Sequence, residues 1–250
     1  MGPVELSVVV PAFQEARRLP ATLASVVAHI QARKRPCELI VVDDGSSDST
    51  ADVAERSLAP LGPLGRVLRF ETNRGKGAAV REGALAARGE RILITDADLS
   101  TPLEELAALE RACDRGADVA IGSRALDRSL ILRRQSAFRE WGGRLFNFVA
   151  QLLVLPGIWD SQCGFKLFRG DVAHDVFARA RSDGFGFDVE VLAVARHFGY
   201  RIVEVPVRWR NDDDSRLSFG RGFAAFADPL RVRLGLWMGR YGSRDRRSGP

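Results

Sequence analysis

Five short runs of apolar, largely β-branched residues recur through the first half of the chain, at positions 6–10, 39–42, 67–70, 92–94 and 119–121. Roughly one helix length separates each run from the next. A strand that alternates apolar and polar residues has one wet face, whereas a continuous apolar run belongs to a strand covered on both faces. The intervening segments 19–32, 49–58, 77–87 and 103–115 carry apolar residues at helical spacing. The expected fold is therefore α/β, a mostly parallel sheet flanked by helices. Asp48 and Thr101 are expected to start helices, the latter followed by Pro102 at the first helical position and by Glu104 and Glu105 in the first turn.

Beyond about residue 125 the pattern changes. A long amphipathic stretch (138–155), a strand near 165–168, helices over 172–180 and 189–198 and a strand over 202–209 are expected. No Gly/Ser/Pro-rich linker intervenes, so 1–125 and 126–241 are read as two halves of one domain, with a polar, disordered tail at 242–250. The chain has 250 residues, 46% hydrophobic and 28% charged, a globular composition that excludes a disordered or fibrous protein.

The first residues show no secretory pattern. The longest apolar stretch, 145–158, is broken by Asn147, Gln151 and Pro156, and is shorter than the ~20 residues needed to span a bilayer. It can lie on a membrane. Three cysteines, an odd number without metal-ligand spacing, fit a reducing cytoplasm. A net charge of +5, with arginines such as Arg133, Arg134, Arg139, Arg144, Arg231 and Arg233 beside apolar segments, favours an anionic partner: lipid headgroups, phosphates or nucleic acid.

In open α/β sheets, ligands sit beyond the carboxyl ends of the strands. The second apolar run ends in Asp43-Asp44-Gly45-Ser46-Ser47-Asp48. Its two carboxylates suit a ribose or a base N–H, although Asp44, Ser46 and Asp48 also fit a turn and a helix cap. The fourth ends in Asp96-Ala97-Asp98-Leu99-Ser100. Alternating carboxylates there suit a hard divalent cation, Mg²⁺ or Mn²⁺, and through it a diphosphate; taken alone they also fit a solvated loop. Lys34, Lys76 and Lys166 are the only lysines among 37 basic residues, and two of them fall inside motifs.

The ordered motifs VVVPAFQE, VVDDGSSD, NRGKGAA, DADLS and GSR, from Val8 to Arg124, resemble family 2 inverting glycosyltransferases of the GT-A fold. That resemblance implies that Pro11, Ala12, Glu15, Asp43 and Asp44 hold the nucleoside of a nucleotide-sugar, that Lys76 approaches the donor, and that Asp96 and Asp98 hold the metal and donor. Ser100 stands where relatives often carry Gln. The stretches DSQCGFKLF from Asp160, GFDVE from Gly186 and PVRW from Pro206 are similar to those of dolichyl-phosphate glucosyltransferases. DSRLS from Asp214 is similar to their Ser-Lys-Leu segment, with Arg216 in place of Lys. The implied halves are nucleotide-sugar-binding (1–125) and acceptor- and membrane-facing (126–241).

The implied acceptor, a polyprenyl phosphate, already presents an anionic oxygen at neutral pH, because a phosphate monoester has its second pKa near ~6. No general base is obligatory. Arg124, Lys166 and Arg216 are the candidates for holding that phosphate, with Asp98 completing the catalytic set. Gln162, Asp188 and Glu190 are candidates for the donor sugar, the two acids also fitting a base or a helix-cap role. The segments 138–155 and 223–241 suit interfacial helices and also ordinary core helices. The expected protein sits peripherally at the cytoplasmic face of an anionic membrane and binds no nucleic acid. Transfer of mannose from GDP-mannose is the alternative reaction. An inactive nucleotide-binding module or a basic nucleic-acid-binding module is the alternative of another class.

Overall fold

The computed structural model describes residues 2–133, 137–211 and 227–242. Arg134, Arg216 with its Asp214–Ser218 context, and the tail from 243 lie outside them, as does part of the segment 223–241. The elements run β1 (Leu6–Ala12), α1 (Leu19–Gln31), β2 (Cys37–Asp43), α2 (Thr50–Leu58), β3 (Gly65–Arg69), α3 (Lys76–Ala86), β4 (Arg91–Ile94), α4 (Leu106–Asp114) and β5 (Val119–Ser123). There follow β6 (Ile131–Arg133), α5 (Ala137–Leu153), β7 (Lys166–Arg169), α6 (Gly170–Arg179), α7 (Phe187–His197), β8 (Ile202–Pro206), β9 (Trp209–Arg210) and α8 (Asp228–Trp237).

Seven strands form one sheet in the order β3-β2-β1-β4-β7-β5-β8. Every residue of β1 and β2 is buried, as expected of continuous apolar runs. The strand period of two divides them between two cores. Val8, Val10, Leu39 and Val41 join α1 and α4 on one face, while Val9, Ile40 and Val42 join α3, α6 and α7 on the other. Each fully buried Leu or Val contributes about 1.5–3 kcal/mol by leaving water, so these two layers set the sheet plane.

The strand expected near 165–168 has a placement that no periodicity reveals. β7 is antiparallel to both β4 and β5 and lies between them, with Lys166 opposite Ile94 and Ile121. It therefore enters the sheet at the edge where β4 and β5 leave it, and carries the preceding loop to the carboxyl end of β4.

Three local expectations change. The strand over 202–209 divides: β8 ends at Pro206, which has no N–H to extend the ladder, and Trp209–Arg210 pairs with β6 in a separate two-stranded sheet. The helix expected from Thr101 starts later, because Pro102 is extended (φ −61°, ψ 145°) and a single 3₁₀ turn precedes α4. Asp48 does serve the start of α2, one residue further out than the cap position, through Oδ1 accepting from Thr50 N at 3.0 Å and Thr50 Oγ1 at 2.5 Å. No helix among the described residues is long and apolar enough to cross a membrane. The three cysteines are free thiols.

Candidate active site at the carboxyl ends of the central strands

β1, β2 and β4 run parallel, so their carboxyl ends share one edge. The loops after β1 and β2 are bonded to each other: Gln14 N donates to Ser46 Oγ (2.9 Å) and Glu15 N to Thr50 Oγ1 (2.8 Å). Pro11 and Ala12 are buried at the root of this pair. The carboxylate of Glu15 is gripped by Arg18 at 2.7 and 2.9 Å.

The two acids after β2 have different tasks. Asp44 accepts from Asn73 Nδ2 (2.8 Å), Arg74 N (2.7 Å) and Gly75 N (2.9 Å), which fixes the loop leading to Lys76 at the start of α3. Burial pushes its carboxyl above the ordinary aspartate value even against these donors. Asp43 Oδ1 accepts from Ser46 N (3.2 Å), while its buried Oδ2 has no hydrogen-bond donor and lies 3.5 Å from Arg69 Nε. Gly45 between this pair and the loop is obligatory: its φ is +70°, and a Cβ there would lie 2.3 Å from the carbonyl carbon of Thr72.

After β4 the chain makes a turn in which Leu99, not a glycine, has φ +45°, a conformation that costs about 1 kcal/mol or more and that clusters at functional sites. Asp98 Oδ1 accepts from Ser100 N at 2.9 Å. Lys76 Nζ lies 2.7 Å from Asp96 Oδ1 in a close ion pair. Burial opposes the charge on Lys76, but the carboxylates of Asp96, Asp188 and Asp98 outweigh it and raise its pKa. Burial and the neighbouring Asp96 raise that of Asp98. A narrow cleft beside them is lined by Thr95, Asp96, Ser100, Gly164, Phe165 and Trp209.

These residues fit a hard divalent cation. Asp96, already facing one cation in Lys76, and the charge-crowded Asp98 could offer carboxylate oxygens to such an ion. Among the described residues no group of three or more His, Cys, Asp or Glu side chains surrounds a metal position. Magnesium-type sites that use one or two carboxylates leave the remaining positions to phosphate and water.

Gly164 completes the wall. A Cβ there would fall 2.0 Å from Asp96 Oδ2, so the loop entering β7 touches the carboxylate directly. Gly164→Ala is expected to fold, displace Asp96 and reduce divalent-cation binding at least ~10-fold, since a ~1 Å misplacement in a site costs up to 10²-fold; calorimetric titration with Mn²⁺ checks this.

Two cations read from the sequence as phosphate holders are already paired. Arg124 binds Asp160 bidentately, Nε to Oδ2 and Nη2 to Oδ1 at 2.7 Å each, with its own N–H on Oδ2 at 2.9 Å. Lys166 is 2% exposed, and its ammonium donates to Asp188 Oδ1 and to the Cys163 carbonyl at 2.5 Å each. The physical reason is desolvation: a cation drawn that far out of water requires an anion beside it. Glu190 is likewise committed, accepting from Arg181 N (2.9 Å), Ser182 N (2.7 Å) and Tyr241 Oη (2.9 Å). Gln162 is half-buried in the loop before β7. The sequence marked Asp160 only as the first residue of the DSQCGFKLF stretch, and gave no signal for its pairing with Arg124 or for Glu204, whose carboxylate accepts the N–H groups of Trp159 and Asp160, because partners 36 to 45 residues apart leave no local pattern.

Residues 7–177 match the family model for glycosyl transferase family 2. Dolichyl-phosphate beta-glucosyltransferase of Homo sapiens is 37% identical over 93% of this chain and 77% of its own length. The proteins of the same name from Drosophila melanogaster and Saccharomyces cerevisiae are 38% and 30% identical over 94% of this chain, and over 77% and 76% of theirs. The fold is shared with mannosyl-3-phosphoglycerate synthase from Rubrobacter xylanophilus (TM-score 0.66, 16% identity, 95% of this chain and 76% of that one). It is also shared with glucosyl-3-phosphoglycerate synthase from Mycobacterium tuberculosis in complex with Mn²⁺, UDP-glucose and phosphoglyceric acid (TM-score 0.65, 19% identity, 99% and 83%). With a GT-A-like sheet and paired acids at the ends of β2 and β4, the chain belongs to glycosyl transferase family 2 and is a glycosyltransferase.

Proposed function

We propose that the protein transfers glucose from UDP-glucose to dolichyl phosphate or another polyprenyl phosphate with inversion. The observation that carries this reading is the Asp96–Lys76–Asp98 cluster at the end of β4, walled by Gly164, in a chain whose relatives bear the name dolichyl-phosphate beta-glucosyltransferase. The nucleoside belongs with Pro11, Ala12, Glu15, Asp43 and Asp44, and the donor phosphates with Lys76. Asp96 and Asp98 would hold Mg²⁺ or Mn²⁺, which neutralises the leaving diphosphate when bound. Gln162 and Asp188 face the sugar in this assignment, and Lys166 holds Asp188 in position.

The main obstacle is repulsion between two anions. Like unit charges 4 Å apart cost about 4 kcal/mol at the effective dielectric near a protein surface. Lys76 offsets this from the donor side. With Arg124 and Lys166 committed to Asp160 and Asp188, the acceptor phosphate is assigned to Arg216. Its oxygen is ionised at neutral pH, so the displacement needs no carboxylate to take a proton. A polyprenyl chain partitions into bilayers, so the same reading places the protein peripherally at the cytoplasmic face of an anionic membrane. The acidic strand ends disfavour a nucleic-acid partner.

A donor competition tests the reading. With equal UDP-glucose and GDP-mannose, Mn²⁺ and a short-chain polyprenyl phosphate, chromatography is expected to show UDP released in large excess over GDP. Release of GDP alone would replace glucose by mannose.

A further inference from the structure

Glu190 is 2% exposed, and its carboxylate is spent on backbone rather than on the cleft. Oε2 accepts the N–H groups of Arg181 (2.9 Å) and Ser182 (2.7 Å), and Oε1 accepts the Tyr241 hydroxyl (2.9 Å). A helix cap would serve the N–H groups of its own first turn, whereas these two belong to a loop nine and eight residues upstream. The neighbour of that loop is the start of α3. The Asp183 carbonyl accepts from Ala78 N at 3.2 Å, and Asp183 Oδ1 pairs with Arg81 Nη2 at 2.5 Å. The glycines flanking Lys76 make room for the loop: a Cβ would fall 2.4 Å from the Asp183 carbonyl oxygen at Gly75 and 2.3 Å from that of Ser182 at Gly77. Lys76 Nζ itself lies 5.7 Å from the ring centroid of Phe187, the first residue of α7.

We infer that Glu190 is a positioning residue for Lys76. Its carboxylate fixes the loop 181–184, whose carbonyls seat the Gly75-Lys76-Gly77 turn. A flexible ammonium stem is only as well placed as the backbone that carries it, and charge-assisted hydrogen bonds are the strong ones with which to hold a loop. Tyr241 holds the other carboxylate oxygen. Burial, with the Glu190 charge behind it, pushes the Tyr241 hydroxyl above the ordinary phenol value, so it stays a donor. The same turn after α8 receives Arg179 Nη1 on the Tyr241 carbonyl (2.8 Å) and Arg181 Nη2 on the Arg240 carbonyl (3.2 Å). The end of α8 thereby contributes to the site without touching a ligand. That Lys76 meets the donor phosphates rests on the proposed function; that Glu190 sets where Lys76 stands does not.

The test reads both parts separately in the full chain. Lys76 is one of only three lysines, so ¹³Cε-lysine labelling gives three side-chain NMR signals, assigned with Lys34→Arg and Lys76→Arg. Without metal or nucleotide, Glu190→Ala is expected to move the Lys76 signal and leave that of Lys34 in place. With Mg²⁺ it should bind UDP about 10-fold more weakly, since a ~1 Å misplacement costs up to 10²-fold, while uridine, which has no phosphate for Lys76, binds as before. Tyr241→Phe loses one hydrogen bond and should weaken UDP about 3-fold; it carries the same test if Glu190→Ala does not fold. Glu190→Gln keeps an acceptor oxygen for both N–H groups and should restore the Lys76 signal and UDP binding. In a Lys76→Met background Glu190→Ala should have no further effect, the non-additivity of residues that act through one another. An unmoved Lys76 signal with unchanged UDP binding in Glu190→Ala and Tyr241→Phe would overturn the inference. So would equal losses of UDP and uridine binding, the mark of a residue that only holds the fold. A moved Lys76 signal, with UDP binding indifferent to both Glu190→Ala and Lys76→Met, would uphold the positioning and refute the assignment of Lys76 to the donor phosphates instead.

Discussion

Asp98→Ala is expected to lower glucosyl transfer by roughly three orders of magnitude, or about 4 kcal/mol of transition-state stabilisation. The side chain is one of two carboxylates at the end of β4, and among the described residues no third His, Cys, Asp or Glu side chain joins them in a metal-holding group. Without it the cation that the two acids would hold together is left to Asp96 alone, and Lys76 is the remaining positive charge for the leaving diphosphate. Stability should move the other way. Asp98 is crowded by burial and by Asp96, both of which disfavour its charge, so its removal relieves a repulsion at neutral pH. The Tm of the metal-free variant is expected to equal or exceed that of wild type, the usual trade between a charged site and a stable fold. Scanning calorimetry beside an activity assay separates the two effects. A variant that is inactive because it is unfolded would count against this assignment.

Arg124→Ala is expected to act in the opposite sense, on the fold before the chemistry. It leaves Asp160 buried without its partner, and breaking a buried pair from one side costs about 3–5 kcal/mol. In a chain of this length that lowers Tm by roughly 6–20 °C. The pH dependence follows from the state of Asp160. Burial opposes its ionisation, but the charge and hydrogen bonds of Arg124 outweigh burial and hold its carboxyl below the ordinary aspartate value. A group with a depressed folded pKa contributes stability above its unfolded pKa, and the contribution disappears as pH falls through the folded value. The Tm gap between wild type and Arg124→Ala should therefore be full at neutral pH and close in strong acid. If Arg124 instead held the acceptor phosphate, the KM for acceptor would rise with Tm unchanged.

The parallel strands were legible because burial on both faces writes uninterrupted apolar runs such as Leu39–Val42, which no other element of that length produces so regularly. The acids at strand ends were legible for a similar reason: Asp43, Asp44, Asp96 and Asp98 follow those runs directly. What could not be read was anything set by contacts across the sheet. Lys166 looked like a phosphate ligand because lysine is rare in this chain, yet it enters the sheet on β7 and meets Asp188, 22 residues away. Arg124 and Asp160 are 36 apart. The insertion of β7 between β4 and β5 decides both pairings, and it also brings Gly164 against Asp96. Phe146 and Phe148 look alike in the amphipathic stretch, and only packing sends the first into the core and the second outward.

Incubation with Mn²⁺, UDP-glucose and a short-chain polyprenyl phosphate, with the lipid product read by mass spectrometry and its anomeric configuration by NMR, tests the central claim most directly. A single hexosyl-phosphate lipid with the β-configuration, absent with Asp98→Ala, is the expected result. Retained α-configuration would contradict one direct displacement, and free glucose without any glycosylated lipid would contradict the polyprenyl-phosphate acceptor.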